Sequence, residues 1–408
     1  MKSVGIVVEY NPFHNGHKHH LKMAREVSGA DVVIGVMSGD YVQRGEPAAF
    51  NRWERAEIAL KNGVDLIIEL PVFYSTQNAE IFAKGAIEIL EELGVENVVF
   101  GSETSDLTTL EKIVLATESD EYKSIIKNEL QNGIAYPRAS AIALENLGID
   151  SNSQSNDILG IEYVRAAKNK KLKLLPIKRI GTGYHSTNIV GEIASATGIR
   201  KILRSIESKD ITSELDLEMI KKIVPEETYK HLGKIKVESI IELEKFYFLI
   251  RYEIINNFRA LIQIQDVEDG LDSRLYECAI KFTDFNEFIT NLSTKRYTKG
   301  RVQRVLIHIL LGITKELTTK IKGRDKVPYI RVLGFSENGR NYLKQIKKER
   351  EGLPCILTSL SNIRRDLTLE EREFIEFNEK ASLIYKMISN YEERKIPLMI
   401  SSNKNLND

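Results

Sequence analysis

The sequence predicts an α/β protein: a parallel sheet wound with helices on both faces, then a mostly helical region and a small α/β lobe. Three observations predict it. Apolar, β-branched runs of strand length recur through the first hundred residues and again near 173–179, without the alternation of a strand that has one wet face. Stretches of helical length separate them, at the spacing of βαβ units. After about Ser205 the pattern changes to charged helices, and strand-like runs return only near 327–334 and 354–358.

The elements follow in order. Residues 4–8 are uncharged and β-branched, so they read as a strand covered on both faces; Pro12 and Asn15-Gly16 break the chain before Leu21, Met23 and Ala24 open a helical pattern. Residues 31–38 read as a second buried strand. Residues 51–62 read as its helix, with Arg52, Trp53, Ala56, Ile58, Ala59 and Leu60 spaced for one packed face. Residues 65–71 form a third strand stopped by proline, 77–93 a long amphipathic helix, and 95–100 a fourth strand ending in Gly101-Ser102-Glu103. Residues 107–170 read mainly as helices, an insertion in the sheet, with Asn156 as an N-cap for residues 158–167. A fifth strand at 173–179 leads to a polar loop with Gly181, Gly183 and His185. The expected domains are 1–205 with its helical insertion, a helical domain at 206–326, and a small lobe at 327–408 with a frayed polar tail.

Composition narrows the class. At 408 residues the chain exceeds what one core usually serves, and 42% apolar with 28% charged residues is the balance of a soluble globular protein. No uncharged stretch approaches a membrane span. Met1-Lys2-Ser3 runs straight into the first strand, leaving no room for a signal peptide, so a cytoplasmic location is expected. Cys278 and Cys355 are too few for a disulfide framework or a cysteine metal site. Lys plus Arg and Asp plus Glu are both 58, so a nucleic-acid partner must be held by a local patch and not by the overall field. Nothing in the sequence specifies an oligomeric state.

The candidate chemistry sits at the first strand–helix junction. There the first N–H groups of a helix leave the carboxyl end of the sheet, where backbone donors and the helix dipole stabilise phosphate. His14 and His17 flank Gly16; the glycine lets a ligand approach the backbone, and two imidazoles three positions apart can converge on one phosphoryl group. His19 and His20 lie close by, yet no companion ligands stand elsewhere, so a metal site is not expected. Ser195 and Thr197 precede a helical pattern and can cap it or bind phosphate, with Arg200 as a bidentate clamp; an ordinary capped helix would read the same way. The most basic short stretch carries Lys295, Arg296, Lys299, Arg301 and Arg304 with Tyr297 among them. It is the candidate RNA grip, and the alternative is a solvated helix end.

The His-x-Gly-His pattern after a first strand resembles the nucleotidyltransferase superfamily. GIVVEYNPFHNGH (5–17), VMSGDYVQRGEPA (36–48), DLIIELP (65–71), GSE (101–103), TKRYT (294–298) and YIRVLG (329–334) together resemble the bacterial tRNA(Met) cytidine acetate ligase family over most of the chain. The resemblance implies a Rossmann-like, HUP-type nucleotidyltransferase domain. It implies an enzyme that activates acetate with ATP as acetyl-adenylate, releases pyrophosphate, and acetylates N4 of the wobble cytidine of elongator tRNA(Met). By motif, the ATP site would comprise Val7, Val8, Glu9, Tyr10, Asn11, Pro12, Phe13, His14, Asn15, Gly16, His17, Lys18, His19 and His20, with Gly101, Asn156 and Arg179. The family usually reads Pro-Asn where this chain has Ser155-Asn156.

The chemistry agrees with these residues. A carboxylate must become a mixed anhydride before a weakly nucleophilic cytosine amine can attack it. The attack of acetate on the α-phosphate calls for charge stabilisation more than for a base. His14 and His17 would stabilise the reacting phosphorus, with Arg179, Arg200 and Mg²⁺ sharing the charge. Rival readings are an adenylyltransferase for a small metabolite, a non-catalytic RNA-binding protein on the same fold, and an acetyl-CoA-dependent transferase. The last would need a proper pyrophosphate loop, which residues 178–183 approach only loosely.

Overall fold

A computed structural model of the chain describes residues 1–134, 136–150, 155–180, 194–207, 214–233, 240–359 and 367–400. The polar loop expected around Gly181, Gly183 and His185 lies outside them. Strands β1 (Ser3–Val8), β2 (Val32–Ser38), β5 (Leu66–Leu70), β6 (Asn97–Ser102) and β7 (Lys173–Lys178) match the five runs read from the sequence. A hairpin of β3 (Tyr41–Val42) and β4 (Glu46–Pro47) stands apart from them.

β8 (Tyr329–Ser336), β9 (Cys355–Leu357) and β10 (Leu398–Ile400) complete one sheet in the order β10-β8-β5-β2-β1-β6-β7, with β9 paired to β8. β8, β9 and β10, from the stretch read as a small lobe of its own, therefore extend the amino-terminal sheet. β8 runs antiparallel to β5, with Leu66 opposite Phe335 and Glu69 opposite Arg331. β10 pairs parallel to β8, and the polar tail that follows it lies outside the described residues. The apolar pattern of β8 announced a strand; which strand it would join is a tertiary fact that no local pattern carries.

The parallel strands are apolar on both faces because both faces are covered. On one side Val4, Ile6, Val33, Met37 and Ile67 meet Leu21 and Ala24 of helix α1 (Asn15–Ser28) and Trp53, Ala56 and Leu60 of helix α2 (Arg52–Lys61). On the other, Ile34, Val36, Leu66, Ile68 and Val98 pack with the helix Ala79–Glu92, and that core runs on into Phe246, Ile250, Leu306 and Tyr385. Fully burying each such side chain contributes about 1.5–3 kcal/mol, more than any cap, so packing sets the register. At Gly5 the layers come close: a Cβ there would stand 2.5 Å from Leu90 Cδ2.

Polar ties join the carboxyl-terminal part to this sheet. Asn51 caps α2 by accepting from the N–H groups of Trp53 and Glu54. Arg52, fully buried, reaches Glu69 on β5 at 2.8 Å, Glu393 at 2.9 Å and Glu379 at 3.5 Å. Arg331 on β8 pairs with Glu379 and lies 3.6 Å from Glu69. Trp53 Nε1 donates to Glu393 at 2.9 Å. No helix among the described residues is long and apolar enough to cross a membrane.

Candidate active site

The connection from β1 leads to β2 on one side, while β6 lies on the other, so the topological switch falls at the carboxyl ends of β1 and β6. A cavity of about 1300 Å³, its mouth included, opens there. Val7, Val8, Glu9, His14, Gly16, His17, His19 and His20 line it from β1 and α1, Gly101 from β6, Arg179 from the residue after β7, and Ser195 from the start of the helix Ala196–Glu207.

The turn between β1 and α1 is held from beneath. Tyr10 takes a left-handed backbone, φ 51°, at a cost of about 1–2 kcal/mol for a non-glycine residue. Its buried ring packs 4.5 Å from that of Phe13 and 5.0 Å from that of His17, and this packing retains the conformation. Asn11 Oδ1 accepts the N–H of Ala49 at 2.7 Å. Tyr10, Asn11, Pro12 and Phe13 thus shape the turn from inside the core and do not face the cavity.

His14 is the N-cap residue of α1, and its ring stacks on that of His17 with centroids 3.6 Å apart. The His14 N–H donates to His17 Nδ1 at 3.3 Å, which leaves the His17 ring proton on Nε2. His14 Nδ1 and His20 Nε2 are buried without a hydrogen bond. Burial, with Arg179 close by, pushes His14 down to about 3 and His20 down to about 4. His17 is also held well below its ordinary value, by burial first and then by His14, His20 and Arg179. The imidazoles are therefore neutral at neutral pH. They stand at a helix N-terminus whose dipole and free N–H groups favour an anion.

Ser195 caps its helix, its Oγ accepting the Gly198 N–H at 3.0 Å. Thr197 is exposed and does not line the cavity. Arg200, read as a phosphate clamp, braces the turn and does not line the cavity: it donates to the Asn11 carbonyl at 2.8 Å and lies 3.3 Å from Glu46. Asn15 donates to the Lys222 carbonyl at 2.8 Å, Lys18 is exposed, and neither lines the cavity. Asn156 sits in the first turn of the helix Ser155–Ala167; its side chain lies outside what is described. Its neighbour Asp157 fixes the end of β6, accepting from Ser102 Oγ at 2.7 Å and the Glu103 N–H at 2.9 Å.

The basic stretch is a turn leading into the helix Lys299–Leu311. Lys295, Arg296 and Lys299 are exposed, whereas Tyr297 is only 8% exposed, with the guanidinium carbons of Arg296 and Arg301 each 5.4 Å from its ring centroid. Both arginines also reach Glu268, at 2.9 and 2.5 Å. Arg304 is half-buried, and Gly45 packs against its backbone.

A family model described as HIGH Nucleotidyl Transferase matches residues 1–397. A Fusobacterium nucleatum protein named tRNA(Met) cytidine acetate ligase is 43% identical over 399 residues, covering 97% of this chain and 98% of its own. The chain belongs to the tRNA(Met) cytidine acetate ligase family. A relative of the same name from Caldanaerobacter subterraneus is 43% identical over 87% of this chain and 88% of its own. Thermotoga maritima TmcAL, solved without ligand, superposes with a TM-score of 0.89 at 33% identity, over 98% of this chain and all of that one. Its crystal structure with alpha-thio ATP superposes with a TM-score of 0.87.

Other cavity residues of this family member escaped the sequence reading. Phe82, Phe100, Leu159, Tyr163, Ile177 and Ile180 make an apolar wall, and Gln43 and Lys178 add polar groups. Lys178 and Phe100 adjoin the predicted Arg179 and Gly101, so their strands already pointed to them. Leu159 and Tyr163 lie one turn apart on one helix, a pattern that reads equally as core.

Proposed function

We propose that this chain activates acetate with ATP as acetyl-adenylate and acetylates N4 of the wobble cytidine of elongator tRNA(Met). The observation that carries the reading is the stacked His14–His17 pair over the first turn of α1, its imidazoles neutral and beside Arg179. A triphosphate brings the negative charge that these groups lack. Its adenine fits the apolar wall of Phe100, Tyr163 and Ile177, and its phosphates fit the histidine end, with Gly16 leaving room at the backbone.

Attack of an acetate oxygen on the α-phosphorus puts charge on the phosphoryl oxygens and the departing pyrophosphate. His17 Nε2–H and the first N–H groups of α1 donate to it, and Lys178 and Arg179 lie on the same wall. Among the described residues no cluster of three or more His, Cys, Asp or Glu is placed to hold a metal ion. Mg²⁺ brought in with ATP would share the phosphate charge beside His17, Lys178 and Arg179.

The tRNA is held by local charge, and Lys295, Arg296 and Lys299 are the exposed part of the basic turn. Tyr297, buried under two guanidinium groups, supports the turn and is not offered to a base. A soluble, cytoplasmic enzyme fits this substrate. Incubation with radiolabelled acetate, ATP and bulk tRNA tests the reading: label should enter tRNA as N4-acetylcytidine only when ATP is present. Label that stays out of tRNA while AMP is transferred to a small metabolite would favour the adenylyltransferase reading.

A further inference from the structure

We propose that Glu9 is the base that takes the proton from the cytidine amine during acetyl transfer. The inference rests on the function proposed above, which names the acceptor and leaves its deprotonation unassigned. Glu9 follows β1 directly and lines the same cavity as His14 and His17. It is the only carboxylate among the described residues lining that cavity. A negative group there opposes both ATP and acetate; a glutamine would keep the same shape without the repulsion. Its presence calls for a step that uses the charge.

The carboxylate is fixed at one oxygen and open at the other. Oε1 accepts the Gln43 N–H at 2.8 Å, while Oε2 takes no hydrogen bond among the described residues. The side chain is half-buried. The charged groups around it are Arg55 from α2, Arg44 from the hairpin and Arg200 from the helix Ala196–Glu207, and the neutral imidazoles of His14 and His17 line the same cavity. Among the described residues neither Arg55 nor Arg200 bonds the Glu9 carboxylate: Arg55 donates to the carbonyls of Glu9, Ser38, Gly39 and Phe50, and Arg200 to the Asn11 carbonyl and the Glu46 carboxylate. Burial raises the Glu9 carboxyl above its ordinary value, toward the range in which a general base works, whereas the neighbouring imidazoles are pushed the other way.

The step balances. N4 of the cytidine attacks the acetyl carbonyl carbon and a C–N bond forms. The C–O bond of the mixed anhydride breaks, and its electron pair leaves on the phosphate oxygen of AMP. One N4 proton passes to Glu9 Oε2, and release to solvent resets the carboxylate.

The test uses the full chain with Glu9→Gln, which keeps an acceptor for the Gln43 N–H. Two rates are read: acetate-dependent exchange of pyrophosphate into ATP, and single-turnover acetyl transfer to tRNA between pH 5.5 and 8.5. Transfer should fall at least about a hundredfold further than exchange, and the acidic limb of the transfer profile should vanish. Glu9→Asp, a second variant should the first misfold, should keep the limb with a slower plateau. Equal loss of both rates means that Glu9 only shapes the site and overturns the proposal, as does transfer at the parent rate. A parent protein that exchanges pyrophosphate but never acetylates tRNA sinks the function itself, a result read without any variant.

Discussion

Each histidine of the turn gives a separate expectation. In the proposed reaction His17 Nε2–H donates to the reacting phosphate, so His17→Ala should lower acetate-dependent pyrophosphate exchange about a hundredfold or more, the scale of losing one preorganised donor. The fold should survive, because His17 is half-buried at a cavity and not in the core. Unchanged exchange with normal ATP binding would remove it from the mechanism. The depressed values also predict a pH dependence. His14 and His20, ordinarily near 6.5, sit at about 3 and about 4, so below 6.5 the unfolded chain binds more protons than the folded one. Their contribution to stability is full above 6.5 and is lost as pH falls, at up to about 1.4 kcal/mol per unit for each. Urea unfolding between pH 7.5 and 5.5 checks it: His20→Gln should reduce the loss of stability across that window by about 1.4 kcal/mol. A slope identical to the parent's would contradict the burial argument.

Among the elements, strand β5 shows what a sequence does and does not disclose. The run DLIIELP read as a buried strand stopped by proline, which β5 is, and Asn51 read as the start of a helix, which it caps. Such signals are local: covered faces, caps and breaks are written within a few residues of where they act. Glu69 in the middle of that run is charged and only 1% exposed, a departure from the strand pattern that implies partners without naming them. They are Arg52 and Arg331, 17 residues before and 262 after, and only tertiary structure joins them. The site divides the same way. His14, Gly16, His17, Gly101, Arg179 and Ser195, each at the end of an element, were legible and meet at one cavity. Arg200 looked like a phosphate clamp, but the Asn11 carbonyl that it reaches is 189 residues away in sequence. Glu69→Gln should destabilise the protein by about 3–5 kcal/mol, since it leaves two buried guanidinium groups undercompensated. Unfolding within about 1 kcal/mol of the parent would show the cluster to be replaceable.

For the whole molecule the issue is how a chain with no net charge holds RNA while running chemistry on a nucleotide. The basic turn and the cavity are built from different elements, so the two functions should separate. Reversing Lys295 and Arg296 to Glu should weaken binding of all tRNAs and reduce the salt slope by about 2, leaving pyrophosphate exchange near the parent rate. Loss of both together would tie the turn to the fold, and loss of neither would put the RNA elsewhere. In the proposed reaction acetate attacks the α-phosphate of ATP at the histidine turn. Acetate carrying ¹⁸O at both oxygens tests it most directly, with mass spectrometry of AMP, pyrophosphate and acetylated tRNA after turnover. One ¹⁸O is expected in AMP for every N4-acetylcytidine formed, and none in pyrophosphate. Label in pyrophosphate or phosphate, or unlabelled AMP beside acetylated tRNA, would contradict it.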